Sequence, residues 1–464
     1  MSDKKYKLTI SILASNRKDT IPKTLNSLKP ILDNVSSELI VTDTGCDEDL
    51  LDVIRKYTDK IVKFQWCNDF SKARNVGLKM AQGEWFMFID DDEWFEDVSE
   101  MIAFFNNDKE EQKYNSFGYV IRNYMNPDGM QWQDSELTRG IRLGEGVEFV
   151  DAIHEHYSNV KKPTKVFDAY VHHYGYAHAT EEARKKHFQR NMELLNQLID
   201  SGDREIRTYF HMVKEYSSVN DYESALRVGL EGLEHNKGNN NRLVAAVKMS
   251  IIYSFFRLER YSELCEHARG FLCFGGLSMG IVASMDMCLC FAEYNLKRYR
   301  ETMNAAIEYF AIREYLEENP RQTVYDMSAI NATLNKQRKV NELFVLGLHS
   351  AVLLKKREQV ENILKGSKYI DDNLFIDNMD WIVELLEMMK ESDDKNLYAK
   401  VLAGYMEQLS IAAKICNRLM DMREVDENMF IDLTSYIVSE ESDSPQMKLL
   451  RKIYQGLKIF RQKK

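Results

Sequence analysis

A chain of 464 residues, 44% hydrophobic and 29% charged, holds material for roughly two to four domains, each with a core of its own. Its 73 acidic and 62 basic side chains leave a net charge of −11, which excludes broad nucleic-acid binding. Scarce glycine (21) and proline (6) argue against an all-β or disordered chain. The seven cysteines, at irregular spacing, suit a reducing cytosol. The N-terminus, MSDKKYKLTISILASN, has no apolar core of signal-peptide length. No run reaches the ~18 apolar residues of a membrane span. The expected location is therefore cytoplasmic, with the sequons at Asn34 and Asn331 of no consequence.

Over the first ~100 residues strand and helix patterns alternate, the signature of an α/β unit with parallel strands. The expected elements are a strand at 7–15, a helix at 20–32, a strand at 38–45 and a helix at 49–58. A third strand at 60–66, a helix at 71–83 and an apolar fourth strand, EWFMFID (84–90), follow. Shorter strands with turns at 126–129 and 144–146 run to about residue 175. Beyond 180, amphipathic helices succeed one another. Tyr222, Tyr261 and Tyr299 recur at intervals of 39 and 38 residues, each within a helix-turn-helix pattern. That spacing predicts stacked helical hairpins of the tetratricopeptide kind, slightly longer than the ~34-residue unit. Helices are expected at 340–365, 376–391 and 396–421. The expected domains are 1–185, α/β; 186–438, helical repeat; and 439–464, a polar linker with a basic terminal helix.

EWFMFIDDDEWF places Asp90, Asp91, Asp92 and Glu93 directly behind the fourth strand. So many carboxylates in one place repel one another unless a cation or solvent relieves them. In an extended chain Asp90 and Asp92 share one side and Asp91 faces away. Carboxylates so spaced at the carboxyl end of a parallel strand can hold one hard cation beside a diphosphate, and that edge is where open α/β folds bind nucleotides. The alternative is a solvated turn. Asp43 ends the second strand on the same rim, and Ser15, Asn16 and Arg17 end the first. Further along, FVDAIHEHY (149–157) offers Asp151, His154, Glu155 and His156, and YVHHYGYAH (170–178) offers His172 and His173.

Together SILASNRKDTIPKTLNSL, ELIVTDTG, WCNDFSKARNVGLKMAQGEWFMFIDDDE and IHEHY resemble the family-2 inverting glycosyltransferases of the GT-A fold. Within that family NDFSKARN and the later IHE are similar to peptide S-glycosyltransferases of the sublancin type, which modify cysteines of bacteriocins. The likeness covers about residues 6–180 and is only architectural from 200 to 420. It implies a UDP-sugar donor and a divalent cation, Mg²⁺ or Mn²⁺. Asp43 would meet the uracil ring, with Ser15 and Asn16 on the same nucleotide rim. Asp90 would meet the ribose or phosphate side and Asp92 would ligate the metal. Asp91 stands where the family often has a small residue. Arg74 would lie near the nucleotide or pair with an acid of the rim. Glu155 would be the base, with His154 beside it. His173 would complete the metal site, with His172 as its competitor.

Cys265, Cys273, Cys288 and Cys290 lack zinc spacing and read as buried structural thiols. The terminal helix at 446–464 places Leu450, Ile453, Leu457 and Phe460 on one face, which suits either a cap on the preceding repeat or an acidic membrane surface. The expected activity is hexosyl transfer from a UDP-sugar to a peptide cysteine or serine, presented by the repeats, which could also mediate dimerisation. Three rivals stand beside it. One is transfer to a lipid-linked or cell-surface glycan. Another is a non-catalytic repeat protein carrying an inactive GT-A domain. The third is a nucleotidyltransferase making the sugar nucleotide, a class that would want a glycine-rich loop after the first strand, where LASNRKDT has none.

Overall fold

The computed structural model describes residues 5–124, 126, 128–130, 132–175, 181–319, 337–370, 381–406, 409–442 and 444–462. Asn331, part of the expected turn at 126–129 and the start of the expected helix at 376–391 lie outside them. The chain divides into two compact units, Met1–Asp203 and Arg204–Lys464.

The first unit opens with β1 (Tyr6–Ala14), α1 (Ile21–Asn34), β2 (Ser37–Asp43), α2 (Glu48–Ile54), β3 (Ile61–Lys63), α3 (Phe70–Met80) and β4 (Gly83–Asp90). These four strands lie in the order β3-β2-β1-β4, all parallel. Trp85, Phe86, Met87 and Ile89 of β4 are fully buried, as a strand covered on both faces requires. The register sets Ala14 beside Asp43 and Leu13 beside Asp90, so three strands end within a residue of one another.

The chain continues through β5 (Glu93–Phe95), α4 (Ser99–Phe105), α5 (Asp108–Glu111), β6 (Ser116–Tyr124), β7 (Trp132–Arg142), β8 (Phe149–Val150), β9 (His156–Tyr157), β10 (Thr164–His173) and α6 (Glu181–Asp200). The sheet extends from β4 through β7, β6 and β10 to β5, with β7 antiparallel to both its neighbours, so the eight strands are mixed. β5 is absent from the sequence reading. The strand alternation assumed for Asp90, Asp91 and Asp92 stops at Asp90, because Asp91 and Asp92 form a turn into β5. The third strand is shorter than the expected 60–66, ending at Lys63.

The second unit is helical among its described residues. It comprises α7 (Ile206–Ser218), α8 (Tyr222–His235), α9 (Arg242–Arg257), α10 (Tyr261–Phe274), α11 (Met279–Asn295) and α12 (Tyr299–Glu318). Then come α13 (Gln337–Leu353), α14 (Arg357–Leu364), α15 (Ile382–Glu391), α16 (Lys395–Tyr405), α17 (Leu409–Val425), α18 (Glu427–Ser439) and α19 (Pro445–Gln462). The hairpin repeat is carried by one turn used again and again. Asn220, Glu259, Lys297 and Lys355 all have left-handed backbone, with φ between 53° and 60°. The next residue donates its N–H to a carbonyl five positions back: Asp221 to Tyr216, Arg260 to Phe255, Arg298 to Glu293, Lys356 to Ala351. This is the Schellman closure of a helix.

Two expectations are corrected here. The spans 340–365 and 396–421 are each two helices, the first broken by the turn at Lys355. Cys273 is exposed, whereas Cys265, Cys288 and Cys290 are buried. Met447 and Leu450 of α19 are buried in the second unit's core, with Ile453 and Leu457 packed against it. No helix among the described residues is long and apolar enough to cross a membrane.

Candidate active site

The segment NDFSKARN builds one wall of the site. Asp69 caps α3, accepting from Lys72 N–H at 2.9 Å and Ser71 Oγ at 2.7 Å. Asn75, one turn further, brackets the backbone of Phe149, donating to its carbonyl and accepting its N–H, both at 2.9 Å. That clamp fixes the β8–β9 hairpin against α3. Phe70 N–H adds a bond to the Ala152 carbonyl at 2.8 Å. Inside the hairpin, Asp151 and His154 both hold left-handed backbone, φ 72° and 56°. Such conformations are costly for residues other than glycine and persist where surroundings fix them. The loop so held delivers Glu155 to Arg74.

Arg74 is buried and bridges two acids: Nε donates to Glu155 Oε1 and Nη2 to Asp90 Oδ1. Its guanidinium lies over the Phe88 ring, 4.3 Å from the centroid. Arg139, from β7, lies 4.6 Å from the centroid of the same ring. It reaches Asp90 Oδ2 at 3.3 Å and Glu93 Oε1 at 2.5 Å. Burial opposes ionisation of Asp90, yet Arg74 and Arg139 hold its carboxyl below the usual range. Burial pushes Glu93 up, against the pull of Arg139.

The remaining rim acids face different partners. Asp43 is buried, and its Oδ1 accepts from Gly45 N–H at 2.9 Å and Cys46 N–H at 2.7 Å. Asp91 turns away from Asp90: its Oδ2 accepts from both Ser15 N–H and Ser15 Oγ at 2.7 Å. Ser15 and Asp91 thus hold the loop after β1 to the turn after β4. Asn16 is turned to the exposed rim, where it exchanges hydrogen bonds with Asp47 at 3.2 Å. Asp92, 7% exposed, pairs through Oδ2 with Arg17 Nη1, and the same oxygen is 3.8 Å from His173 Nε2.

His173 and His172 alternate across β10. His172 stacks on Tyr124, whose hydroxyl is 2.7 Å from its Nδ1, and its Nε2 is 3.7 Å from Glu96. His173 lies between Asn123 and Glu93 in the sheet register, with Nδ1 2.7 Å from Asn123 Oδ1. An amide oxygen only accepts, so Nδ1 carries the proton and Nε2 is the basic nitrogen turned to Asp92. Burial lowers the His173 pKa to about 4, in spite of Asp90, so the imidazole is neutral.

These residues fit a divalent cation with two protein donors. A neutral imidazole nitrogen and a carboxylate face each other, and a Cβ on Gly175 would crowd His173 Nε2 and stand 3.2 Å from Asp92 Oδ2. Glycine keeps that space open. The charges point the same way. The guanidiniums of Arg17, Arg74 and Arg139 face the carboxyls of Asp90, Asp91, Asp92, Glu93 and Glu155, an excess of acid that disfavours a diphosphate. Among the described residues no group of three or more His, Cys, Asp or Glu side chains forms a complete metal site, so further donors would have to come from the ligand or water.

Sequence reasoning placed Arg17 and Glu93 on the rim without giving either a role, and it missed Asn123 and Arg139 altogether. The only signal for Arg139 was an arginine inside a strand, which acquires meaning once β7 lies beside β4.

Residues 9–155 match the family described as Glycosyl transferase family 2. Over 248 residues the chain is 26% identical to the SPbeta prophage-derived glycosyltransferase SunS of Bacillus subtilis (strain 168), covering 51% of this chain and 55% of that protein. Over 124 residues it is 31% identical to the UDP-Glc:alpha-D-GlcNAc-diphosphoundecaprenol beta-1,3-glucosyltransferase WfaP of Escherichia coli, covering 25% and 48%. The chain thus spans about half the length of these curated relatives. Among solved structures, S. aureus TarS aligns at 13% identity over 56% of this chain and 54% of that one, with a TM-score of 0.30. The stretch that matches the Glycosyl transferase family 2 model, residues 9–155, holds the acid rim, Arg74 and Glu155.

Proposed function

We propose that the protein is a metal-dependent inverting glycosyltransferase that moves a hexose from a UDP-sugar to a peptide cysteine or serine. The observation that carries this reading is the Arg74 bridge, which sets the carboxylate of Glu155 beside Asp90 at the carboxyl edge of the sheet. Asp43, fixed through Oδ1 by its own loop, offers Oδ2 to the N–H of the uracil ring. Asp92 and His173 would hold Mg²⁺ or Mn²⁺, whose chemistry there is to neutralise the charge of the departing nucleoside diphosphate.

Arg74 binds Glu155 through Oε1, so Oε2 is the oxygen that takes the acceptor proton. The acceptor sulfur or oxygen bonds to the anomeric carbon while the carbon–phosphate oxygen bond breaks on the opposite face. The bonding pair leaves with UDP, and no covalent enzyme intermediate forms. The resemblance of NDFSKARN and IHE to the sublancin type and the helical hairpins favour a peptide acceptor, because concave repeat surfaces commonly bind extended chains. A lipid-linked glycan is the second reading, favoured by the diphosphoundecaprenol acceptor named for the Escherichia coli relative.

The test is UDP release from a panel of UDP-hexoses with Mn²⁺, offering cysteine- and serine-containing peptides and, separately, diphosphoundecaprenol-linked sugars. Release that depends on one acceptor class and disappears in Asp92→Ala supports the reading and identifies the acceptor. UDP release equal in Asp92→Ala and the parent overturns the metal role of Asp92. No UDP-sugar binding at all leaves the non-catalytic repeat protein.

A further inference from the structure

Arg17 is the residue at this site that the reading above leaves without a task. Its backbone is pinned: its N–H donates to the Ser15 carbonyl at 2.8 Å, and its own carbonyl accepts from Thr20 at 3.3 Å and Ile21 at 3.2 Å. Its side chain, 43% exposed, reaches across the rim, with Nη1 on Asp92 Oδ2 and Nε 3.5 Å from Asp91 Oδ1. The two acids it joins are nearly buried. The arrangement is lopsided, because Asp91 already accepts two hydrogen bonds from Ser15, whereas among the described residues the side chains paired with Asp92 Oδ2 are the guanidinium and, at 3.8 Å, His173 Nε2. The oxygen that a cation seated between Asp92 and His173 would need is the one Arg17 holds.

We infer that Arg17 is a displaceable counter-cation: it neutralises Asp92 while the donor site is empty, yields that carboxylate to an entering divalent cation, and then takes an oxygen of the nucleoside diphosphate. This rests on the donor site proposed above. Asp91 stays within reach of the released side chain, and its tie to Ser15 does not depend on Arg17, so the loop keeps its anchor when the guanidinium moves. The consequence is thermodynamic. A metal ion alone must compete with Arg17 for Asp92. A metal ion with a nucleoside diphosphate gives Arg17 a new anionic partner, and the two ligands then bind cooperatively. By linkage, each raises the other's affinity by one common factor.

The experiment is Mn²⁺ binding to the full chain by titration calorimetry, with and without UDP, for the parent, Arg17→Gln and Arg17→Lys. Arg17→Gln is expected to bind Mn²⁺ alone about fivefold or more tightly than the parent, within the usual range of site coupling, and the factor by which UDP tightens Mn²⁺ falls by a similar amount. Arg17→Lys keeps the charge but cannot span Asp91 and Asp92 with one planar fork, so it falls between the two. If the glutamine variant fails to fold, the lysine variant decides, since equality with the parent in both Mn²⁺ affinity and UDP coupling refutes the inference. Unchanged values in Arg17→Gln refute it as well, while leaving the donor site intact. A parent that binds neither UDP nor Mn²⁺ removes the donor site itself, and the inference with it.

Discussion

Glu155 and Asp90 share one guanidinium, so the proposed acceptor side and the proposed donor side of the rim are tied through Arg74. A carboxylate held by a single N–H at Oε1 keeps its orientation without surrendering its second oxygen, which suits a base that must wait for its acceptor. Replacing Glu155 by glutamine keeps the shape and an oxygen for Arg74 but removes the basic site. The expected result is a fall in kcat of ~10²–10⁴-fold with UDP and Mn²⁺ affinity unchanged. Equal turnover in Glu155→Gln, with peptide acceptor saturating, would show that the proton leaves by another route. At this scale the sequence exposed those acids that sit at strand ends or beside a distinctive run, such as Asp43, Asp90, Asp92 and Glu155. It concealed Asn123 and Arg139, which become site neighbours only through the pairing of β6 and β7 into the sheet. An isolated arginine or asparagine in a strand carries no mark of what will lie across from it.

α3 shows how closely an element must dock for those residues to meet. Gly77 packs where a Cβ would overlap Ser11 Oγ of β1 and stand 3.6 Å from Thr42 Oγ1 of β2. A glycine inside a helix costs about 1 kcal/mol relative to alanine, so its use here is close approach to the sheet. Gly77→Ala is expected to destabilise the first unit by about 1–3 kcal/mol through overpacking. Combining it with Ser11→Ala, which removes the overlapping hydroxyl, should return most of that loss in a double-mutant cycle by urea titration. Additive losses would mean that α3 does not rest on Ser11. The alternation through β4 was legible because apolar strands and capped helices each carry a period, but β5 is three residues long and begins directly after a turn. In the helical unit the tyrosines reported three turns and missed a fourth. Arg357 stands where Tyr222, Tyr261 and Tyr299 begin their helices, and the shared feature is the left-handed residue two positions earlier, which here is never glycine.

At the scale of the whole molecule the two units have separate cores. The large apolar cluster of the first draws on residues between Leu8 and Val171, and that of the second on residues between Ile206 and Leu450. These two clusters share no side chain among the described residues, which predicts two calorimetric transitions, and the two can be told apart by what moves each. UDP with Mn²⁺ stabilises only the state that binds it, so it should raise the transition of the first unit alone. For the second unit the handle is Asp286, buried within α11, where burial first and Glu308 second push its carboxyl from 3.8 to about 7. A carboxyl whose pKa is raised by folding favours the folded state while protonated, so its contribution is intact below pH 3.8 and is lost as the pH climbs through about 7. At pH 8 an ionised Asp286 therefore costs roughly 2–4 kcal/mol, and Asp286→Asn should raise the second transition by several degrees there. At pH 4 the variant and the parent should nearly coincide. A single transition that responds to UDP and to Asp286→Asn alike would mean that the two units unfold together, and the separate cores would then be a division of packing without a division of stability.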